Sequence, residues 1–283
     1  MELEATLLGE SNAIRVLRTQ VRTAAATSLP VLLCGPVGSG KELTAWAIHA
    51  ASHRRGPFVP FNMSRASELI SRDVAWDTPK PSAPHVPPTI PGDSLALDGG
   101  TIFLNEIAQL RPSSQTLLLQ ALKGYFLHQR RGATDPRTSP RLISATSIPP
   151  KELIQTDHFH ERLLRRLGGM TITVPSLAER RKDIPTLALY FLSLLPASQR
   201  PLGYTAAAIR RLQAFDWPEN VRALKRVVTA AARLAPGEMV DEMAVEFARK
   251  TTDCDTQTAQ ETASRRLRPA KVPSYSRLTP SQA

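Results

Sequence analysis

The sequence predicts an α/β fold, a parallel sheet flanked by helices, with a small helical domain following it. Three observations carry that expectation. The apolar run Val31-Leu32-Leu33-Cys34 is followed by a glycine-rich turn and then by Leu43-Thr44-Ala45-Trp46-Ala47-Ile48-His49, which opens as a helix. Further short apolar runs end on polar residues, as in Thr101-Ile102-Phe103-Leu104-Asn105-Glu106. From Leu177 onward the apolar residues return at helical spacing.

Residues 5–29 form an opening segment and a helix, which Ser11-Asn12 can cap and whose apolar face is Ile14, Leu17 and Val21. The first strand and its turn follow, then a helix to about Ser52. His53-Arg54-Arg55-Gly56 turns the chain into a second short strand, Pro57-Phe58-Val59-Pro60-Phe61-Asn62, and Ser64 to Ile70 can form a short helix. Residues 77–91 are a different material. They hold six prolines in fifteen residues, which excludes both helix and sheet interior, so an extended or disordered loop is expected there. A solvated insertion and a docking segment both fit that composition.

Order returns at Asp98-Gly99-Gly100 and the strand ending in Asn105-Glu106. Residues 113–127 are helical by period, with the stripe Leu117, Leu118, Ala121, Leu122 and Tyr125, and Gln129 to Pro140 is a polar loop. Arg141 to Ser147 is another strand, and Phe159 to Leu167 is a basic amphipathic helix. Ile172-Thr173-Val174-Pro175 closes the α/β part, assigned to residues 1–174. Helices starting near Asp183, at Thr205 and after Trp217 make a helical lid over 175–249. Residues 250–283, rich in Thr, Gln, Ser, Arg and Pro, are expected to be a disordered basic tail suited to non-specific DNA contact.

The chemistry begins at Gly35-Pro36-Val37-Gly38-Ser39-Gly40-Lys41-Glu42. Strand, G-x-x-x-x-G-K and helix, in that order, are the phosphate-cradling loop of nucleotide-binding proteins. Gly35, Gly38 and Gly40 let successive N–H groups turn inward on an anion, while the helix N-terminus and Lys41 supply positive charge. Glu42 stands where Ser or Thr would normally ligate magnesium. Glu106, at the carboxyl end of its strand, is placed to orient a water on a terminal phosphate. Asn105 stands where an Asp usually holds magnesium; it can coordinate through its carbonyl oxygen but carries no charge. The polar end of the strand Arg141–Ser147 can carry a γ-phosphate sensor.

With 283 residues, 42% of them hydrophobic, the chain can bury one large core or two ordinary ones. A formal charge of +11 invites a polyanion as partner without deciding the fold. Cys34 and Cys254 make no disulfide framework, which points to a reducing compartment. There is no 18-residue apolar run, and Met1-Glu2-Leu3-Glu4 is acidic where a signal peptide is basic, so a cytoplasmic protein with no membrane partner is expected.

In order, Gly35–Glu42, Pro57–Asn62, Gly99–Ile107, Phe159–Leu167 and Trp217–Leu224 resemble the AAA+ central domain of bacterial enhancer-binding proteins, the activators of RNA polymerase carrying sigma-54. The likeness covers roughly residues 6–235, and the Glu directly after the loop lysine is typical of that family. The resemblance implies a ring-forming ATPase, commonly a hexamer, using ATP and Mg2+ with each site completed by a neighbour. It implies that Gly35, Gly38, Gly40 and Lys41 hold phosphates, that Glu106 positions the attacking water, and that Asn62 couples Glu106 to nucleotide state. It places Thr146 in the first sensor region, Arg166 among the neighbour-facing arginines and Arg222 at the second sensor.

Departures accompany the likeness. His160 occupies the other neighbour-facing arginine position and cannot give a bidentate phosphate contact. Ser147 replaces the usual sensor Asn, and Asn105 the usual Asp. The Gly-Ala-Phe-Thr-Gly-Ala loop that engages the sigma factor is absent between Asn62 and Gly99, where the proline-rich segment stands. No N-terminal receiver domain and no C-terminal helix-turn-helix can be read. The first expectation is therefore an ATP-binding AAA+ transcription regulator with weak ATPase activity and atypical polymerase contact. The second is a catalytically impaired nucleotide-binding module that co-assembles with, or restrains, a competent AAA+ relative. A third is a basic nucleic-acid-associated protein switched by ATP.

Overall fold

Strand residues alternate between two apolar layers, and this alternation builds the sheet into the centre of the larger part of the protein. The structure is a computed structural model that describes residues 3–63, 99–131, 140–155, 159–235 and 238–252. The proline-rich segment 77–91, the short helix expected at 64–70 and the tail from 253 lie outside the described residues.

Five strands, β1 (Val31–Cys34), β2 (Phe58–Asn62), β3 (Thr101–Asn105), β4 (Arg141–Thr146) and β5 (Met170–Thr173), form one sheet in the order β2-β3-β4-β1-β5. Every pairing is parallel, so all five carboxyl ends lie along one edge. Val31, Leu33, Phe103, Ile143 and Ala145 face one core. Helices α2 (Asn12–Ala25) and α3 (Lys41–Ala51), preceded by the short α1 (Leu3–Thr6), cover that face with Ile14, Leu17, Val21 and Ile48. Leu32, Cys34, Ile102, Leu104 and Leu142 face the other core. There α4 (Pro112–Arg131), α5 (Pro150–Gln155) and α6 (Glu161–Leu167) contribute Leu118, Leu122, Leu153, Leu163 and Leu167. Period-two alternation between two buried faces is what a parallel sheet covered on both sides requires.

Local rules set the element ends. The Ser11 hydroxyl caps α2 by accepting from the Ile14 amide. α4 continues to Arg131, past Gln129 where the sequence suggests a loop, because Gln129, Arg130 and Arg131 propagate a helix and the next breaker after them is Gly132.

The helical domain has its own core, built from α7 (Ile184–Ser193), α8 (Ala206–Ala214) and α9 (Asn220–Leu234). A helix over 242–252, α10, adds Val245 and Ala248, so helix continues past residue 249. Its start is held by Asp241, whose carboxylate accepts from the Ala244 amide at 2.8 Å. Two-residue strands β6 (Gly203–Tyr204) and β7 (Met239–Val240), absent from the sequence-based expectation, pair in parallel and tie the segment before α8 to the segment after α9. Among the described residues no helix is long and apolar enough to cross a membrane.

Candidate functional site

The strands' carboxyl ends open onto a cleft of about 520 Å³, the usual ligand position on an open parallel sheet. The phosphate loop forms one wall, contributing Val37, Gly38, Gly40, Lys41 and Glu42. Gly38 and Gly40 have φ of 74° and 108°, the left-handed region in which a side chain is strained. Gly35 is not left-handed; its need for glycine is contact, since a Cβ there would lie 2.5 Å from the Val174 carbonyl oxygen. Gly40 precedes the first turn of α3, whose free N–H groups give the loop its pull on anions.

Glu106 follows β3 in a left-handed conformation, φ 57°, which swings its carboxylate back across the sheet edge. Its Oε1 lies 3.0 Å from Lys41 Nζ, with the two side chains only 5% and 16% exposed. Its Oε2 accepts two hydrogen bonds from Ser147, from the hydroxyl at 2.8 Å and the amide at 3.2 Å. Lys41 Nζ also donates to the Gly35 carbonyl at 2.8 Å and the Pro36 carbonyl at 3.3 Å. The lysine is thus folded onto its own loop and the glutamate, and the glutamate is fixed by three donors.

Asn62 and Asn105 stand opposite each other in the β2–β3 register, and both line the cleft beside Glu106. From the helical domain, Arg222 reaches the same cleft on the first turn of α9. So does Lys225, one turn later, which sequence reasoning missed although its i, i+3 spacing from Arg222 puts both on one face. Thr146 is fully buried and its hydroxyl pairs with Ile148, donating to the carbonyl at 2.9 Å. Its neighbour Ser147 is the residue that reaches Glu106. Arg166 lies on α6, away from the cleft lining, and His160 stands at that helix's N-cap position without a side-chain capping bond, its ring 3.3 Å from the Thr116 hydroxyl. The Ser39 hydroxyl is buried with no partner among the described residues. Cys34, at the foot of the loop, has its thiol pushed up to about 11 by burial, against the opposing charge of Lys41.

A second pocket of about 310 Å³ shares Gly40, Leu43, Phe191 and Val221 with the cleft. Leu7, Leu8, Ile14, Leu17, Leu187 and Tyr190 make it largely apolar. The pair suits a ligand with a flat apolar body and an anionic chain: the body fits between the opening segment and the helical domain, the chain on the loop. Among the described residues no cluster of three or more His, Cys, Asp or Glu could hold a metal unaided. Glu42 and Asn105 do present oxygen donors to the cleft, and magnesium is typically held by one or two such groups together with phosphate and water.

Residues 7–173 match the family model of the Sigma-54 interaction domain, and residues 178–262 that of the AAA+ ATPase lid domain. The chain is 36% identical over 238 residues to the nitrogen assimilation regulatory protein NtrX of Azorhizobium caulinodans, an alignment covering 82% of this chain and 51% of that protein. It is 35% identical over 240 residues to the transcriptional regulatory protein ZraR of Klebsiella oxytoca, covering 83% and 54% respectively. The fold matches the crystal structure of NtrX from Brucella abortus in complex with ATP at a TM-score of 0.67 and 28% identity, over 91% of this chain and 63% of that one. The chain spans about half the length of the curated relatives it matches.

Proposed function

Because this chain belongs to the sigma-54 interaction domain family, built as an AAA+ sheet with its lid, we propose that it is an ATP-binding transcription regulator that hydrolyses ATP weakly. The observation that carries the reading is the convergence of Lys41, Glu106, Arg222 and Lys225 on one cleft at the phosphate loop. Three cations from two domains face a space with donors at its floor, which is the environment a nucleoside polyphosphate needs.

The resting geometry defines the first step. Lys41 leaves Glu106 and the loop carbonyls and turns to the phosphates, which frees Oε1 of the carboxylate. Ser147 keeps hold of Oε2, so the freed oxygen stays aimed into the cleft, where it can accept a proton from a water attacking the terminal phosphate. Arg222 and Lys225 take up the negative charge of the departing diphosphate, and their helix moves with the lid. Glu42 and Asn105 would hold magnesium together with the phosphates, and the ion when bound would supply further charge neutralisation. Asn62 faces Asn105 across the sheet edge and is the side chain through which a change at the nucleotide can reach Glu106.

Weak turnover follows from two substitutions. Asn105 contributes no charge where a carboxylate would, and His160 stands where a neighbour's arginine would complete the site. Loss of such an arginine costs about 10³–10⁵ in rate. Arg166 remains on the same helix, so a self-assembled ring, a hexamer by family likeness, keeps one arginine per interface. RNA polymerase carrying sigma-54 is the partner this reading implies. The alternative is a nucleotide-gated module that co-assembles with a competent AAA+ relative. The three donors on Glu106 favour it, because they hold the carboxylate on Lys41 and Ser147 and away from a water.

ATP hydrolysis with magnesium, measured against protein concentration beside ATP binding on the same preparation, separates the two. Specific activity that rises with concentration supports sites completed between subunits. Binding without turnover at every concentration supports the module and overturns the motor.

A further inference from the structure

Three successive carbonyls of the phosphate loop are held by the helical domain. The Val37 oxygen accepts from Asn220 Nδ2 at 2.8 Å, the Gly38 oxygen from the Val221 amide at 3.1 Å, and the Ser39 oxygen from Arg180 Nη2 at 2.7 Å. Across a planar peptide the carbonyl and the following N–H point in opposite directions. Holding the carbonyls of Val37 and Ser39 therefore fixes the N–H groups of Gly38 and Gly40 on the opposite face of the loop. The fit is close: a Cβ on Gly38 would lie 2.0 Å from the Glu219 carbonyl oxygen.

Both side-chain donors are themselves anchored. Asn220, buried and left-handed at φ 52°, also accepts from the Leu177 amide at 2.8 Å, so one side chain joins the loop to the start of the helical domain. Arg180 is 6% exposed, and burial lowers its pKa while nearby Asp183 opposes that shift. Asp183 in turn accepts from Glu10 N, Ser11 N and Ser11 Oγ at 2.8, 2.8 and 2.6 Å, which ties the same corner to the opening segment. Arg180 Nε and Ser39 Oγ are buried without a partner among the described residues.

We propose that Arg180 and Asn220 are positioning residues through which the helical domain holds the phosphate loop in its anion-binding shape, making affinity for nucleotide phosphates depend on how that domain is seated. This rests on the nucleotide reading above. A protein or neighbouring copy that shifts the lid then changes phosphate affinity without touching the cleft, and bound phosphate resists movement of the lid, as linkage requires.

The test compares ADP with adenosine, which lacks phosphates. In Asn220→Asp the acceptor for Leu177 is kept and the donor to Val37 is replaced by an oxygen; Asp, like Asn, tolerates a left-handed backbone. In Arg180→Met the stem is kept and the donor to Ser39 removed. Circular dichroism establishes that each variant is folded, and calorimetric titration measures both ligands. Each variant is expected to lose about tenfold or more in ADP affinity, the scale of one charge-assisted or buried hydrogen bond, with adenosine affinity unchanged. If Asn220→Asp unfolds, Arg180→Met decides by the same ratio. Unchanged ADP affinity, or equal losses for ADP and adenosine, overturns the inference while leaving the nucleotide site standing. Wild-type protein that binds neither ligand overturns the nucleotide reading itself.

Discussion

Replacing Glu106 by Gln should make the protein bind nucleotide more tightly while abolishing what turnover it has. Lys41 Nζ lies 3.0 Å from Glu106 Oε1 in a nearly closed corner, 5% and 16% exposed, and the lysine cannot serve carboxylate and phosphate together. A hydrogen bond to a charged group contributes about 1.5–3 kcal/mol. Gln has one acceptor oxygen, which stays with the two Ser147 donors and turns its NH2 toward Lys41, so the competing contact is lost and ADP affinity rises by about tenfold or more. ADP is the ligand to titrate, by calorimetry at fixed ionic strength, because hydrolysis cannot then disguise the equilibrium. Turnover should fall by about 10² or more with the loss of the base. ADP affinity equal to or weaker than that of the wild type would refute the competition between Glu106 and phosphate for Lys41.

Asn105→Asp should raise ATP turnover if a missing charge beside the cleft limits it, and adding His160→Arg should raise it further in a concentration-dependent assay; no gain from the pair places the defect elsewhere. Ser147→Ala removes the 2.8 Å bond to Glu106 and should lower kcat with little change in ADP affinity, whereas Ser147→Thr keeps the hydroxyl and should keep most activity. Burial first, then the charges of Arg54 and Arg141, lowers the pKa of His49 below 6.5. The unfolded chain then binds this proton first, so stability is full above about pH 6.5 and falls as pH drops through the folded value. His49→Gln should flatten that part of the profile of melting temperature against pH, and an unchanged slope would remove His49 from the account.

What was legible in the sequence is what local chemistry specifies. Gly35 to Lys41 could be read because strand, turn and helix follow within a dozen residues. Asn105-Glu106 could be read because an apolar strand must end where its polar residues begin. Arg222 was legible only through its motif, since nothing local ties α9 to a loop almost two hundred residues earlier. Ser147 was missed as the partner of Glu106 because the left-handed turn at Glu106 decides where that carboxylate goes. Arg180 sits in the run Arg180-Arg181-Lys182, which reads as a solvated face; only the fold buries the first of them against Ser39. The apolar pocket draws on residues 5–8, on Leu43 and on Phe191, a grouping no window of sequence contains. Strands of two residues, such as β6 and β7, carry too little pattern to be seen at all.

The central claim is that the Gly35–Lys41 loop binds nucleotide phosphate. The most direct measurement is equilibrium binding of ATP to the wild type and to Lys41→Ala, with circular dichroism to establish that both are folded. Saturable binding that Lys41→Ala abolishes is the predicted result. Equal affinity in the two folded proteins would contradict the assignment of the site.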